Sequence, residues 1–284
     1  MLRFGFHLSI AGGCVKAARA AALLGTDCLQ IFSGNPRGWK QKPITEPEAG
    51  EFRSEVSRAG LNPVVVHAPY LLNLASPDPQ LWRRSWLGLA EQFKRAACLG
   101  AKAVVAHPGS RGEKSLKWGV RRVAEAVCRA YESSGGQVPC WLENTCGGGS
   151  LLGGDLSELA AMLKLIPQGG ACLDTAHAWG QGYALDNQVN VAGFLDLVED
   201  VLDFEQVKLW HFNDSKVELG SKRDVHTHLG QGFIGEKGFK ALVSDSRLHQ
   251  ASAIMETPKE NSLSDKQNLA FIRRLEALAA CTPQ

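Results

Sequence analysis

Residues of the kinds that bind metal ions recur along this chain where short apolar runs end. Six of them follow one another in this order: His67, His107, Glu143, Asp174, His211 and Glu256. The successive intervals are 40, 36, 31, 37 and 45 residues, each close to one strand-plus-helix unit. A (β/α)8 barrel requires roughly 250 residues, about 31 per unit, and gathers its reactive groups at the C-terminal ends of its strands. The sequence therefore predicts an α/β fold, with a single TIM-barrel domain over residues 1–284.

The apolar runs and the segments between them support this alternation. Eight runs are predicted strands: Phe4–Leu8, Cys28–Phe32, Pro63–Val66, Ala103–Ala106, Pro139–Leu142, Ala171–Leu173, Val207–Phe212 and Ala253–Met255. Segments of helical period lie between them, among them Gly13–Leu24, Glu46–Ala59, Leu81–Leu99, Lys117–Glu132 and Ser264–Ala279. Strands that alternate with helices predict a parallel sheet with crossover connections. A doubly wound open sheet is the alternative, but only a closed barrel brings ligands from six successive units together.

A few glycines, the net charge, the cysteines and the apolar stretches limit the kinds of protein that this chain can be. Gly25, Gly60 and Gly100 each follow a helical segment, in the position where a left-handed residue closes a helix. The formal net charge of +2 neither requires nor excludes a nucleic-acid partner. The eight cysteines contain no C-x-x-C pair and are interpreted as free thiols in a reducing compartment. With no signal peptide and no apolar stretch long enough to span a bilayer, we predict a soluble cytoplasmic protein.

The number of candidate ligands exceeds what one metal ion can hold. They are five histidines and four acidic residues: His67, His107, Glu143, Asp174, His177, His211, Asp224, His226 and Glu256. Imidazole and carboxylate ligands suit zinc, and nine of them indicate two or three ions. His228 would share a face with Asp224 and His226 in an extended segment, so the ligand set there stays open. His7 and His249 are interpreted as structural residues.

Several motifs together resemble bacterial endonuclease IV, and the resemblance covers the whole chain. They are GFHLSIAGG, LQIFSGNPRGW, HAPYLLNLASP, VVAHPGS, WLENTCGGG, CLDTAHAWGQGY, HFNDSKVELGSKRDVHTHLGQGFIG and IMETP. The resemblance implies a TIM barrel with three zinc ions that cleaves double-stranded DNA on the 5′ side of abasic sites. Such cleavage leaves a 3′-hydroxyl and a 5′-deoxyribose phosphate, and we also expect removal of 3′-blocking groups. A base-excision-repair enzyme that acts as a monomer is implied.

The resemblance also assigns ligands to each ion and leaves His228 outside the set. The implied sets are His67, His107 and Glu143 for the first zinc, Glu143, Asp174, His211 and Glu256 for the second, and His177, Asp224 and His226 for the third. Glu143 would bridge the first two ions, and Glu143, Glu256 and His107 are the predicted catalytic residues. The chain departs from the family at Ala68, at Ala176 and in the loop Arg111–Gly119, which we expect to affect substrate range and rate.

The expected mechanism needs no side-chain base. Closely spaced zinc ions lower the pKa of a shared water, and a third ion can stabilise the departing 3′-oxygen. The four carboxylates carry a charge of −4 and three zinc ions carry +6. The net charge of about +2 would attract a phosphodiester anion. The predicted DNA contacts are Arg37, Lys40, Tyr70, Leu71, Lys222 and Arg223, with Arg37, Tyr70 and Leu71 as the residues that fill the gap left by the missing base.

Two other functions remain open at this point. A metal-dependent sugar isomerase or epimerase could use a related barrel with one or two ions, and would not need the third ligand set. A catalytically silent protein that binds damaged DNA is the non-enzyme alternative. The complete ligand set argues against it, because metal sites built for binding alone rarely leave a geometry that activates water.

Overall fold

Eight parallel strands close into a barrel in the computed structural model, which describes residues 1–280. In chain order the strands are β1 Arg3–Leu8, β2 Cys28–Phe32, β3 Val64–His67, β4 Ala103–Ala106, β5 Cys140–Glu143, β6 Gly170–Asp174, β7 Val207–His211, the short β8 Asp214–Ser215 and β9 His226–Thr227, and β10 Ser252–Met255. Strands β8 and β9 form a separate antiparallel pair, and β10 pairs with β1 to close the barrel. The predicted TIM barrel is confirmed, and the open-sheet alternative is wrong.

Helices connect the strands and cover the outside of the barrel. They are α1 Cys14–Leu24, α2 Glu46–Ala59, α3 Pro79–Leu99, α4 Leu116–Ser133, α5 Leu156–Leu163, α6 Thr175–Gln181, α7 Gln188–Leu202, α8 Gly235–Ser244 and α9 Ser264–Ala280. Gly25, Gly60 and Gly100 end α1, α2 and α3 with φ of 73°, 67° and 70°, so the predicted left-handed caps are confirmed. The long connection after β7 carries the β8–β9 pair, whose two-residue strands are too short to leave a periodic pattern.

The inside of the barrel explains where the polar residues lie. Because side chains alternate along a strand, every second residue of each strand points inward. One buried inner cluster consists of Cys28, Val65, Ala103, Val105, Trp141, Cys172, Leu209 and Ile254. Two residues further toward the C-terminal end of each strand, the same inner face carries polar residues: Gln30, His67, His107, Glu143, Asp174, His211 and Glu256. His7 takes the matching position on β1, two residues after Gly5. The inner apolar cluster thus lies beneath these polar residues, which are called the polar layer below.

Other sequence expectations concern the cysteines and the membrane. Each of the seven cysteines within residues 1–280 is free, and Cys281 lies outside the described residues. Among the helices of residues 1–280, none has the length and apolar character that a bilayer crossing demands.

Candidate metal centre

The polar layer places the candidate ligands at the C-terminal ends of the strands. His67, Glu143, Asp174 and His211 are the last residues of β3, β5, β6 and β7, and His107 and Glu256 directly follow β4 and β10. The other three come from the loops above the barrel: His177 from α6, His226 from β9 and Asp224 from the segment before it. All nine candidates therefore meet at the face where TIM barrels carry their reactive groups.

The donor atoms of these residues form three groups. Within each group they lie within 4.8 Å of one another: His67, His107 and Glu143; Glu143, Asp174, His211 and Glu256; and Asp174, His177 and His226. Asp224 adjoins the third group, with its carboxylate oxygens 3.2 Å from Nε2 of His177 and 3.0 Å from Nε2 of His226. Asp174 thus faces two groups, which the sequence did not indicate.

Glu143 belongs to two groups through different oxygen atoms. Its Oε2 lies 3.0 Å from Nε2 of His67 and 3.4 Å from Nε2 of His107. Its Oε1 lies 2.9 Å from Nδ1 of His211. A carboxylate that turns one oxygen to His67 and His107 and the other to His211 has the geometry of a bridging ligand.

Hydrogen bonds on the outer side of each ring decide which nitrogen faces the centre. Nδ1 of His67 donates to the carbonyl of Ala68 at 2.7 Å, and Nδ1 of His177 donates to the carbonyl of Asn144 at 2.9 Å. In a neutral imidazole only one nitrogen carries a proton, so Nε2 of either ring has a free lone pair when that ring is neutral, as it is in a metal-bound histidine. Metal-binding histidines are commonly oriented by such partners.

The inward-facing atoms fit a metal ion better than they fit one another. Nε2 of His67 and Oε2 of Glu143 are both acceptors, yet they lie 3.0 Å apart, a contact that requires a proton or a cation between them. Nε2 of His226 is buried and has no hydrogen-bond partner among the described residues, although Asp224 is 3.0 Å away. Nitrogen and oxygen donors in groups of three and four are the set that zinc binds.

The electrostatics of the site show how tightly its charges are coupled. Burial lowers the pKa of His107 to about 4. Burial would raise the pKa of Glu143, but His107 and His211 outweigh it and hold that pKa well below its usual range. Burial likewise opposes a charge on His226, but Asp174 and Asp224 raise its pKa to about 9. Glu143 therefore stays charged beside its histidines, whereas burial raises the pKa of Asp174.

One of the predicted DNA contacts, Tyr70, lines an open cavity of about 830 Å³ beside this centre, together with Asp224 and Glu256. Tyr70 is 64 % exposed, and its ring centroid lies 5.3 Å from that of His67 and 6.0 Å from that of His107. It therefore stands over the first ligand group with most of its surface open to a bound molecule.

The other predicted DNA contacts differ in their exposure and in whether their side chains already have a partner within the protein. Arg37, Lys40 and Arg223 are exposed on loops at the ligand end of the barrel, and Leu71 is half-buried. The ammonium of Lys222 donates to the backbone carbonyl of Gln181 at 2.5 Å and to its side-chain oxygen at 2.7 Å. Lys222 is thereby tied to the end of α6, so among these residues it is the one whose charged group already has a protein partner.

The three histidines outside the implied ligand set, His7, His228 and His249, differ in their distance from the metal centre and in their contacts. Nδ1 of His228 contacts the side-chain amide of Asn268, away from the three groups, and His249 is exposed. His7, interpreted from the sequence as structural, lies in the polar layer with Nδ1 3.2 Å from Oε1 of Glu256.

Two buried amides that sequence reasoning missed also belong to the centre. Asn213 donates to Oδ2 of Asp174 at 2.6 Å and accepts the backbone N–H of Glu256 at 2.7 Å. Gln30 contacts both His211 and Glu256. The alternation within β2 could have found Gln30, because it lies two residues after an inward cysteine. No comparable pattern marks Asn213, which lies in a loop.

Comparisons with known proteins agree with this geometry. A family model described as Xylose isomerase-like TIM barrel matches residues 18–279. The "Probable endonuclease 4" of Chloroflexus aurantiacus is 40% identical over 280 residues, which cover 97% of this chain and 98% of that protein. The crystal structure of endonuclease IV from Thermus thermophilus has a TM-score of 0.89 and 37% identity, and the match covers 97% of this chain and 99% of that one. A D-tagatose 3-epimerase-like protein shares the fold alone, at 18% identity, a TM-score of 0.75 and 98% coverage of both chains.

Proposed function

Because this chain belongs to the endonuclease IV family within the xylose isomerase-like TIM barrels, we propose that it is a zinc-dependent apurinic/apyrimidinic endonuclease. Membership confirms the resemblance seen in the sequence and makes the protein a nuclease of DNA repair. The finer proposal is that it hydrolyses the phosphodiester 5′ to an abasic site in duplex DNA, leaving a 3′-hydroxyl and a 5′-deoxyribose phosphate. We extend the proposal to the removal of 3′-blocking groups.

One observation carries this proposal: Glu143 turns its two oxygens to two different sets of donor atoms, and a third set adjoins them. A sugar epimerase with one or two ions would leave this third set unexplained. We assign one zinc to each set, with the ligands that the resemblance implies, and regard Asp174 as a further neighbour of the third. Zinc bound there would supply Lewis acidity and lower the pKa of a water molecule to near neutral.

The chain's own residues would bind and orient the DNA around this centre. Arg37 and Lys40 would neutralise phosphates beside the lesion, and Tyr70 and Leu71 would occupy the space that the missing base leaves. An abasic nucleotide has no base to unstack, so turning it out of the duplex costs less than turning out a normal one. The cavity next to Tyr70 and Glu256 is open to receive it.

Mapping of the cleavage products tests the proposed reaction. A duplex with one abasic site and a label at each end in turn should give a single nick on the 5′ side of the lesion. A DNA polymerase should extend the new 3′ end, because it is a hydroxyl, and the matched duplex without the lesion should stay intact. A nick on the 3′ side, or cleavage of the undamaged duplex at the same rate, would refute this assignment.

Replacing Arg37 and Lys40 together by glutamine should weaken DNA binding mainly through charge. Each lost phosphate contact reduces the slope of log K against log salt concentration by about 0.9, so the pair should reduce it by about 2. The measurement is a titration of labelled duplex by fluorescence anisotropy at several salt concentrations.

A matched double variant controls for the change in net charge. Lys102 and Lys208 are exposed at the opposite, N-terminal end of the barrel, just before β4 and at the start of β7. Replacing both by glutamine removes the same charge and should leave the salt slope unchanged. Equal slopes for the two double variants would place the DNA elsewhere.

The proposal extends to the oligomeric state of the protein and to its cellular compartment. We propose that it acts as a single-domain monomer in the cytoplasm, where its free cysteines stay reduced. Light scattering at micromolar concentration should give the mass of one chain, 30.7 kDa.

A further inference from the structure

Gln30 is a fully buried amide inside the barrel, next to the candidate ligands but outside every ligand group. It lies in β2 and points into the polar layer from the side opposite β6. A buried amide that leaves its donors or acceptor unpaired is costly, so its contacts show what this position is built for.

The side chain of Gln30 makes three polar contacts, and all of them are with this layer. Its Oε1 lies 2.9 Å from Nε2 of His211. Its Nε2 lies 2.7 Å from Oε1 of Glu256 and 2.9 Å from Nδ1 of His7. Two proposed ligands of one zinc, at the ends of different strands, are thus joined by a single amide.

The chemistry of these partners fixes which way the amide points. With Nε2 toward Glu256, its two hydrogens are donated to a carboxylate oxygen and to a ring nitrogen, and Oε1 accepts from His211. The flipped amide would set its oxygen 2.7 Å from the carboxylate, an acceptor against an acceptor. In the orientation described, Oε1 requires a proton on Nε2 of His211, which leaves Nδ1 of the neutral ring free.

The free nitrogen of His211 faces the centre. Nδ1 lies 2.9 Å from Oε1 of Glu143 and 3.5 Å from Oε2 of Glu256. Since Gln30 holds Oε1 of Glu256, the other oxygen of that carboxylate is the one left for this cluster. One amide therefore selects the binding atom of a histidine and the binding atom of a carboxylate.

We propose that Gln30 is a positioning residue of the metal centre, which fixes His211 with Nδ1 toward the zinc shared with Glu143 and fixes Glu256 with Oε2 toward it. The role rests on the proposed zinc binding and adds a residue that touches neither metal nor DNA. Partners of this kind raise metal affinity by about 10- to 100-fold. The loss should concern one ion of the three, because Gln30 contacts only one ligand group.

The test replaces Gln30 by methionine, which keeps the volume and removes all three hydrogen bonds. Zinc affinity is measured by competition with a chromogenic chelator, and zinc per chain by mass spectrometry. We expect one of about three ions to bind about 10- to 100-fold more weakly. Nitrogen-15 spectra of labelled histidine in the zinc-loaded protein should show a fixed proton on Nε2 of His211 in the unmodified chain and lose that signature in Q30M.

A second variant separates the two halves of the proposal and keeps it testable if Q30M does not fold. Gln30→Glu retains an acceptor for His211 but has at most one donor in place of two, so the His211 signature should persist while one zinc still weakens. Gln92→Met is the matched control, because Gln92 is buried and hydrogen-bonded to Ser33 on the outer side of the barrel. It should bind zinc like the unmodified protein.

The outcomes distinguish this role from the proposed function. If the unmodified protein binds about three zinc ions and the Gln30 variants match it in affinity and in the His211 signature, the positioning role is overturned and the endonuclease proposal stands. If Q92M loses zinc as much as Q30M, general destabilisation explains both, and the role is again overturned. If the unmodified protein binds no zinc, both proposals fail together.

Discussion

Replacing Glu143 by alanine is expected to abolish cleavage of an abasic-site duplex while part of the DNA binding survives. The carboxylate is fully buried and gives one oxygen to His67 and His107 and the other to His211. Its loss separates two ligand groups and removes a charge that no neighbour replaces. A metal centre contributes several kcal/mol to the barrier, so the rate should fall by at least about a thousandfold. Single-turnover kinetics with saturating protein measure this loss separately from binding.

Asp214 supplies the control, because it is a buried carboxylate outside the three ligand groups. It accepts hydrogen bonds from the backbone N–H groups of Ser215, Gly232 and Ile234. Asp214→Asn should cost about 1–3 kcal/mol of stability through those bonds but keep zinc and cleavage. Cleavage by E143A at more than about a tenth of the normal rate would show that Glu143 is not the bridge.

Removal of metal is expected to have the second largest effect, on stability as well as on activity. Without cations, the carboxylates of Glu143, Asp174 and Glu256 are left close together around His211 at the end of the barrel. A ligand at about a thousand times its dissociation constant stabilises the folded state by about 4 kcal/mol. For a chain of this size we expect chelation to lower the melting temperature by about 10 °C. Differential scanning calorimetry before and after dialysis against a chelator measures the shift.

Two comparisons make that measurement specific. Adding zinc back should restore both the melting temperature and cleavage, whereas magnesium should restore neither, because nitrogen-rich sites favour zinc. The E143A variant should show a smaller shift on chelation, since it starts with fewer bound ions. An unchanged melting temperature after complete removal of zinc would mean that these groups do not hold metal in the folded protein.

Much of the barrel and of the candidate centre could be predicted from the sequence, because both follow one rule of alternation. The intervals between strand-end residues indicated the unit length, and the apolar runs placed all eight strands within about two residues of their observed bounds. The glycines at positions 25, 60 and 100 marked helix ends because only a left-handed residue fits there. Local sequence patterns were enough to predict the strands and the helix ends, because neighbouring residues in the chain determine both.

The features that sequence reasoning missed depend on contacts between distant segments. Asp174 was assigned to one group, yet it also lies 3.7 Å from Nε2 of His226, which arrives from the β8–β9 pair. Lys222 was predicted to contact DNA, but whether its ammonium is free depends on Gln181, 41 residues earlier. Gln30 has no charge and no reactive atom, so its role emerges only from the partners that the barrel brings to it.

The central claim is that this centre holds zinc and that the zinc is needed to cut DNA at abasic sites. The most direct measurement combines zinc per chain, by mass spectrometry, with cleavage of an abasic-site duplex by the same preparation before and after chelation. We predict about three zinc ions per chain, a nick 5′ to the lesion, and loss of both on chelation. An abasic-site duplex that remains uncut by protein carrying about three zinc ions per chain would contradict the claim, as would undiminished cleavage by zinc-free protein.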